Sequence, residues 1–146
     1  MSDAVAKPDL TDRAIYRFWY RDTIRFGDLD RHGHVNNARF ATYCEGGRVA
    51  IIDEQIRPML GSDFMFVLAN LSINFRREMT YPGEVDVGTR IQRLGTSSLT
   101  FGQALFSKGD CTAIAEATVV LLDRATRRPT PFSEQARLHL WELAAD

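Results

Sequence analysis

The chain has 146 residues, 45% of them hydrophobic and 25% charged, with a formal net charge of −1. That is the composition of one ordinary globular domain with room for one sizeable core, and it argues against nucleic acid as the main partner. No apolar run approaches the ~20 residues needed to span a bilayer.

The positive charge is uneven in kind. Lys7 and Lys108 are the only lysines, and the other 16 basic residues are arginines. Guanidinium groups suit phosphate and carboxylate, so some of them are candidates for binding an anionic ligand. Cys44 and Cys111 have no paired spacing. They read as free thiols, which suits a reducing cytoplasm. The N-terminus MSDAVAKPDLTDR is polar, with no secretory h-region, so residues 1–13 are expected as a loose tail and the protein as cytoplasmic.

The segment 15–25, IYRFWYRDTIR, is rich in aromatic and β-branched residues and predicts a first strand. A polar loop follows with Asp28, Asp30, His32 and His34. Asn36 and Asn37 then offer helix caps, and a helix is expected over 37–57, ending before Pro58 or running on to Gly61. That helix is apolar on more than one face, so other structure should wrap it. Gly46-Gly47 in its middle costs roughly 1 kcal/mol per glycine relative to alanine. Either something packs close there or the helix bends. A side chain at position 47 is expected to narrow the space open to a bound ligand.

Residues 64–76 alternate cleanly, with Met65, Val67, Ala69, Leu71, Ile73 and Phe75 as the apolar set, and predict a strand. Pro82-Gly83 marks a turn, and three more strands are expected at 84–94, 97–107 and 111–123. The short turns between them make antiparallel neighbours. FSEQARLHLWELA predicts a C-terminal helix with Ser133 as its cap. One apolar helix and a mostly antiparallel sheet make an α+β domain, with the sheet curled around the helix. There are no internal repeats and no linker, so residues 1–146 read as a single domain.

A carboxylate beside a helix N-terminus can attack a carbonyl, or activate water to do so, while free N–H groups stabilise the negative charge that develops. Asp30 is the candidate for that role. The bland alternative is an Asx turn that caps the helix. Asp28 reads as the residue that holds the loop. Glu45 and Arg48, at i and i+3, suggest an intrahelical ion pair. Asp28-x-Asp30-x-His32-Gly33 begins like a calcium loop, but position twelve is Arg39 where a bidentate Glu is needed, so no metal is expected. There is no G-x-S-x-G elbow and no Gly-rich phosphate loop.

These residues resemble the 4-hydroxybenzoyl-CoA thioesterase family of the hotdog fold. The resemblance is carried by the F-x-D-x-D-x-x-G loop (Phe26, Asp28, Asp30, Gly33), the helix start Val35–Ala38, and Glu45-x-x-Arg48. Tyr81-Pro82-x-Glu84-Val85 and Gly95-x-Ser97-Ser98 extend it, so that it covers roughly 17–123 in order. It implies a hotdog fold: a five-stranded antiparallel sheet curled around one long central helix, plus a C-terminal helix.

The activity it implies is hydrolysis of an acyl-CoA or acyl-carrier-protein thioester, with no cofactor. Carried over by position, Asp30 is the catalytic carboxylate and the backbone N–H at Asn37 polarises the carbonyl. His34 is a candidate to contact the thioester or orient water, and Glu45 a candidate to position substrate or water. Arg76, Arg77 and Arg93 are candidates for the CoA phosphates, and Ser97 and Ser98 for the pantetheine path. A homodimer that pairs further into a homotetramer is expected, because hotdog sites lie between subunits. The alternatives are a non-catalytic acyl-CoA-binding module and a hotdog enoyl-CoA hydratase.

Overall fold

The computed structural model describes residues 7–145. Its five strands are β1 (Phe18–Ile24), β2 (Phe64–Phe75), β3 (Gly83–Leu94), β4 (Ser98–Ser107) and β5 (Asp110–Asp123). They form one antiparallel sheet in the order β1-β3-β4-β5-β2. Between β1 and β2 the chain passes through α1 (Asn37–Ile51), a π turn (Ile52–Ile56) and α2 (Arg57–Leu60). β1 and β2 are opposite edges of the sheet, so this helical stretch must cross its face, and α1 lies against β1, β3 and β4. The sheet curls around it, and α3 (Glu134–Ala144) closes the far end.

The helix runs on past Pro58 to Gly61, the second of the two expected endings. Arg57 N–H donates to the Ile52 carbonyl, five residues back, and this wider turn falls immediately before the proline, which has no N–H to give. Gly61 sits at φ 78° and stops the helix. Ser133 caps α3 as expected, its Oγ accepting from Ala136 N–H at 3.1 Å.

Two core clusters pack along α1, and a third joins Leu10 and Tyr16 to Ala104 and Phe106 of β4. Ile24, Val35, Phe40, Tyr43, Cys44, Val85, Val87 and Leu105 pack around the N-terminal half of α1. Ile51, Ile52, Ile56, Ile91, Leu99, Phe101, Leu121 and Leu140 pack around its C-terminal end and α3. Arg48, Thr89 and Gln103 lie between these two clusters in sequence on their three elements, and all three are buried. Gln103 Nε2 donates to the Cys44 carbonyl and to Thr89 Oγ1, both at 2.9 Å, while Arg48 Nη1 donates to Gln103 Oε1 at 3.2 Å. The Glu45–Arg48 ion pair does not form. Arg48 turns inward to this polar layer and Glu45 stays exposed, because the two positions fall on either side of the helix's boundary with the sheet.

Close packing, not a bend, accounts for Gly46-Gly47. A Cβ on Gly47 would come within 2.6 Å of Val87 Cγ1 and 2.9 Å of both Gln103 Nε2 and Thr89 Oγ1, and one on Gly46 would meet the Tyr20 ring. Gly47 therefore faces the sheet, beside a small cavity that it lines with Trp19, Ala50 and Ile51.

The clean alternation read over 64–76 breaks at a bulge. Leu68 pairs with Val119 but Asn70 with Thr118, which leaves Ala69 as the extra residue. The inward phase slips by one there: Leu71 and Ile73 face one of the two clusters along α1, whereas Phe64 and Phe66, from the opposite phase, face the other.

The first strand begins at Phe18, not Ile15, because Arg13–Ile15 form a 3-10 turn capped by Asp12. Nor is the whole N-terminal stretch a loose tail. Leu10 and Tyr16 are buried, and the Tyr16 hydroxyl donates to the Leu10 carbonyl at 2.6 Å. Residues 1–6 of the expected tail lie outside the described residues.

Candidate active site

The loop between β1 and α1 is organised by its two aspartates in different ways. Asp28 is buried, accepting from Arg25 N–H at 2.9 Å and from the Tyr43 hydroxyl at 2.8 Å, with the Arg39 guanidinium at 3.7 Å. Burial alone would raise its carboxyl, but these donors and cations outweigh it and hold it below the ordinary value. Asp28 thus ties the loop to α1, the structural role expected of it.

Asp30 makes an Asx turn of its own. Oδ1 accepts from His32 N–H at 2.8 Å and from His34 N–H at 3.4 Å, and Asp30 N–H donates to the His34 carbonyl at 2.8 Å. Among the described residues no donor reaches Oδ2. The helix cap is Asn36, whose side chain accepts from Ala38 N–H at 2.9 Å, so Asp30 is not needed for capping.

The helix start leaves one N–H over. Asn36 N–H donates to the Asp28 carbonyl, Ala38 N–H to Asn36 Oδ1 and Arg39 N–H to the Asn36 carbonyl. Asn37 N–H, between them, has no acceptor among the described residues. It carries the positive end of the α1 dipole and is free to receive an oxygen from a ligand.

Asp30 and Asn37 line one cavity of about 550 Å³. His32, His34 and Glu78 complete its polar wall, Val35, Phe40 and Phe75 form an apolar wall, and Arg76 and Arg77 stand at its edge. Phe40 and Phe75 meet edge-on with ring centroids 5.1 Å apart. The volume is in the usual range for a small-molecule site. Among the described residues no group of three or more His, Cys, Asp and Glu side chains could hold a metal ion.

Five of the nine candidate residues thus come together: Asp30, His34, Asn37, Arg76 and Arg77. The other four do not join them within one chain. Glu45 is exposed on α1, outside the cavity. Arg93, Ser97 and Ser98 sit where β3 passes into β4, whereas the Asp30 loop lies at the Gly83 end of β3, where Ile24 pairs with Gly83. Twelve residues of β3 separate the two ends, roughly 35–40 Å of strand. Ser97 serves the fold at that end, its carbonyl accepting from Leu121 N–H at 2.8 Å.

Glu78, Phe40 and Phe75 were not candidates from sequence. Glu78 stands after Arg76-Arg77 with no motif around it, and only the approach of residues 78–80 to the Asp30 loop gives it a place.

A model described as the thioesterase-like superfamily matches residues 24–140. The chain belongs to the thioesterase-like superfamily. It is 25% identical over 124 residues to the long-chain acyl-CoA thioesterase FadM of Escherichia coli (strain K12), covering 82% of this chain and 94% of FadM. It is 31% identical over 115 residues to the acyl-acyl carrier protein thioesterase ATL2, chloroplastic, of Arabidopsis thaliana, covering 73% of this chain and 61% of ATL2. Among solved structures, a thioesterase from Thermus thermophilus complexed with coenzyme A and Zn is 33% identical, with a TM-score of 0.75, covering 88% of this chain and 95% of that one. The hotdog fold expected from the sequence is the fold this superfamily protein has, and these relatives support the expectation of a thioesterase. No helix among the described residues is long and apolar enough to cross a membrane.

Proposed function

We propose that this protein hydrolyses an acyl-CoA thioester to the free acid and CoA, with Asp30 as nucleophile or general base and Asn37 N–H as the group that polarises the carbonyl. The observation that carries the reading is the pairing of two unsatisfied groups in one cavity, a carboxylate oxygen and the single unoccupied N–H of a helix start. The carboxylate supplies the attack and the N–H stabilises the oxyanion, so each does what the other cannot. Water is the second substrate and no cofactor is required. His34 stands in the same wall and is positioned to orient that water. Arg76 and Arg77, at the edge, suit the phosphates of CoA. Membership in the 4-hydroxybenzoyl-CoA thioesterase family in particular belongs to this proposal and rests on the loop and helix-start motifs.

The functional unit in this reading is at least a homodimer. β2 is an edge strand that pairs only with β5 among the described residues, and it leaves Leu68 and Phe75 about half exposed. A second copy added along that edge would cover both and bring further residues to the cavity. Glu45, Arg93, Ser97 and Ser98 keep a place in the proposal only through such a partner.

Two variants test the chemistry. Asp30→Asn removes the carboxylate, and kcat should fall about 10²–10⁴-fold. Asn37→Pro removes the N–H, together with a side chain that makes no hydrogen bond among the described residues. Asn37 is the first helical residue, where proline fits, and Asn36 already has the extended backbone (φ −60°, ψ 136°) that proline requires before it. Its kcat should fall about 10²–10³-fold in a folded protein. Thiol release is followed on short, long and aromatic acyl-CoAs. Near wild-type turnover in Asp30→Asn would sink the assignment, and saturable acyl-CoA binding without turnover in wild type would favour a non-catalytic binding module.

A further inference from the structure

Glu78 belongs to the cavity's polar wall, and nothing so far gives it a task. Its Oε2 lies 3.0 Å from His34 Nε2. A carboxylate can only accept, so this contact favours the tautomer with the proton on Nε2, and in the charged ring both nitrogens carry one. In the neutral ring, Nδ1 is then the acceptor.

The backbone holds this pair together. His34 bridges Thr80 in antiparallel fashion, and Val35 N–H donates to the Met79 carbonyl at 2.9 Å. Val35 and Met79, the neighbours of the two residues, are both buried in the core. Each member of the pair therefore sits one residue from a buried anchor, although the Glu78 side chain itself is mostly exposed. From His34 the contacts continue to the proposed catalytic carboxylate, since its N–H and carbonyl bond Asp30 Oδ1 and Asp30 N–H. Arg76 and Arg77 are the nearest cations in sequence, yet the ion pair found for Glu78 is with His34.

We infer that Glu78 is a positioning residue: by holding the proton on Nε2 it fixes the orientation and tautomer of His34, and leaves Nδ1 to accept from the water that attacks the thioester. This rests on the hydrolase reading above. Carboxylates that orient histidines in metal sites are worth about 10–100-fold in activity, and the lower part of that range is expected for this metal-free pair.

The test is a double-mutant cycle on the acyl-CoA that wild type cleaves fastest. Glu78→Ala should lower kcat about tenfold or more with KM within about threefold, as expected for a group acting through another in the chemical step. Glu78→Gln keeps an oxygen that accepts from Nε2–H and should restore most of the loss. In a His34→Ala background, Glu78→Ala should cost nothing further. Wild-type kcat in Glu78→Ala, an effect confined to KM, or the same fold-loss in both backgrounds would each overturn the inference.

Nitrogen NMR of the His34 ring without substrate gives a readout independent of turnover. The ring should hold Nε2–H in wild type and exchange between tautomers in Glu78→Ala, and identical spectra would also overturn it. If wild type cleaves no acyl-CoA, the hydrolase reading fails while this spectrum still decides the pairing.

Discussion

Replacing Gly47 by alanine sets two effects of known size against each other. Alanine is favoured over glycine in a helix interior by about 1 kcal/mol. The added methyl, however, would stand 2.6 Å from Val87 Cγ1 and 2.9 Å from Gln103 Nε2 and Thr89 Oγ1, groups that are all fully buried. Overpacking a core in this way costs about 1–3 kcal/mol. Displacing Gln103 also weakens its bonds to the Cys44 carbonyl and Thr89 Oγ1, which are worth about 0.5–1.5 kcal/mol each. The steric and polar costs win, and a net loss of about 2 kcal/mol is expected, a fall of about 4–8 °C in Tm for a chain of this size.

Gly46→Ala is the control. Its methyl would stand nearest the far end of the half-buried Tyr20 side chain, so the helix gain should offset most of the strain and leave stability within about 1 kcal/mol of wild type. Urea unfolding of the three proteins at one fixed protein concentration measures the difference. A Gly47→Ala variant as stable as wild type would refute the close seating of α1 on β3 and β4, and so would equal losses in the two variants.

Two further outcomes follow from buried ionisable groups. Asp28 has a folded carboxyl held below its ordinary value near 3.8, so the stability it contributes is present at neutral pH and is lost as pH falls through the folded value. Tyr43→Phe removes one donor to that carboxylate and should cost about 1.5–3 kcal/mol at pH ~7, with the gap to wild type narrowing below pH ~4; a gap independent of pH would exclude the charged bond. Cys44 is fully buried and burial pushes its thiol up to about 11, whereas Cys111 is half-buried. In the native protein near pH ~7.5 a thiol reagent should therefore label Cys111 first and Cys44 only on unfolding, and equal rates would contradict the packing of α1.

The order and kind of elements came from patterns internal to short stretches of chain. Aromatic and β-branched runs mark strands, Ser133 marks a cap, and Gly61 ends a helix, because backbone sterics and local hydrogen bonds act over a few residues. The loop F-x-D-x-D-x-x-G and the helix start likewise make Asp30 and Asn37 legible as candidates, since the roles proposed for them depend on a helix N-terminus a few residues away.

The rest depended on contacts between distant segments. The bulge at Ala69 is set by pairing with β5, and it reversed which phenylalanines face the core. Arg48 turned from an apparent partner of Glu45 to Gln103, 55 residues away, because the sheet offered a buried acceptor. The strand β3 carried Arg93, Ser97 and Ser98 to the far end of the sheet, while the approach of residues 78–80 brought Glu78 to His34. Spacing along the chain encodes a turn or a cap, but only the curled sheet determines which side chains share a wall of the cavity.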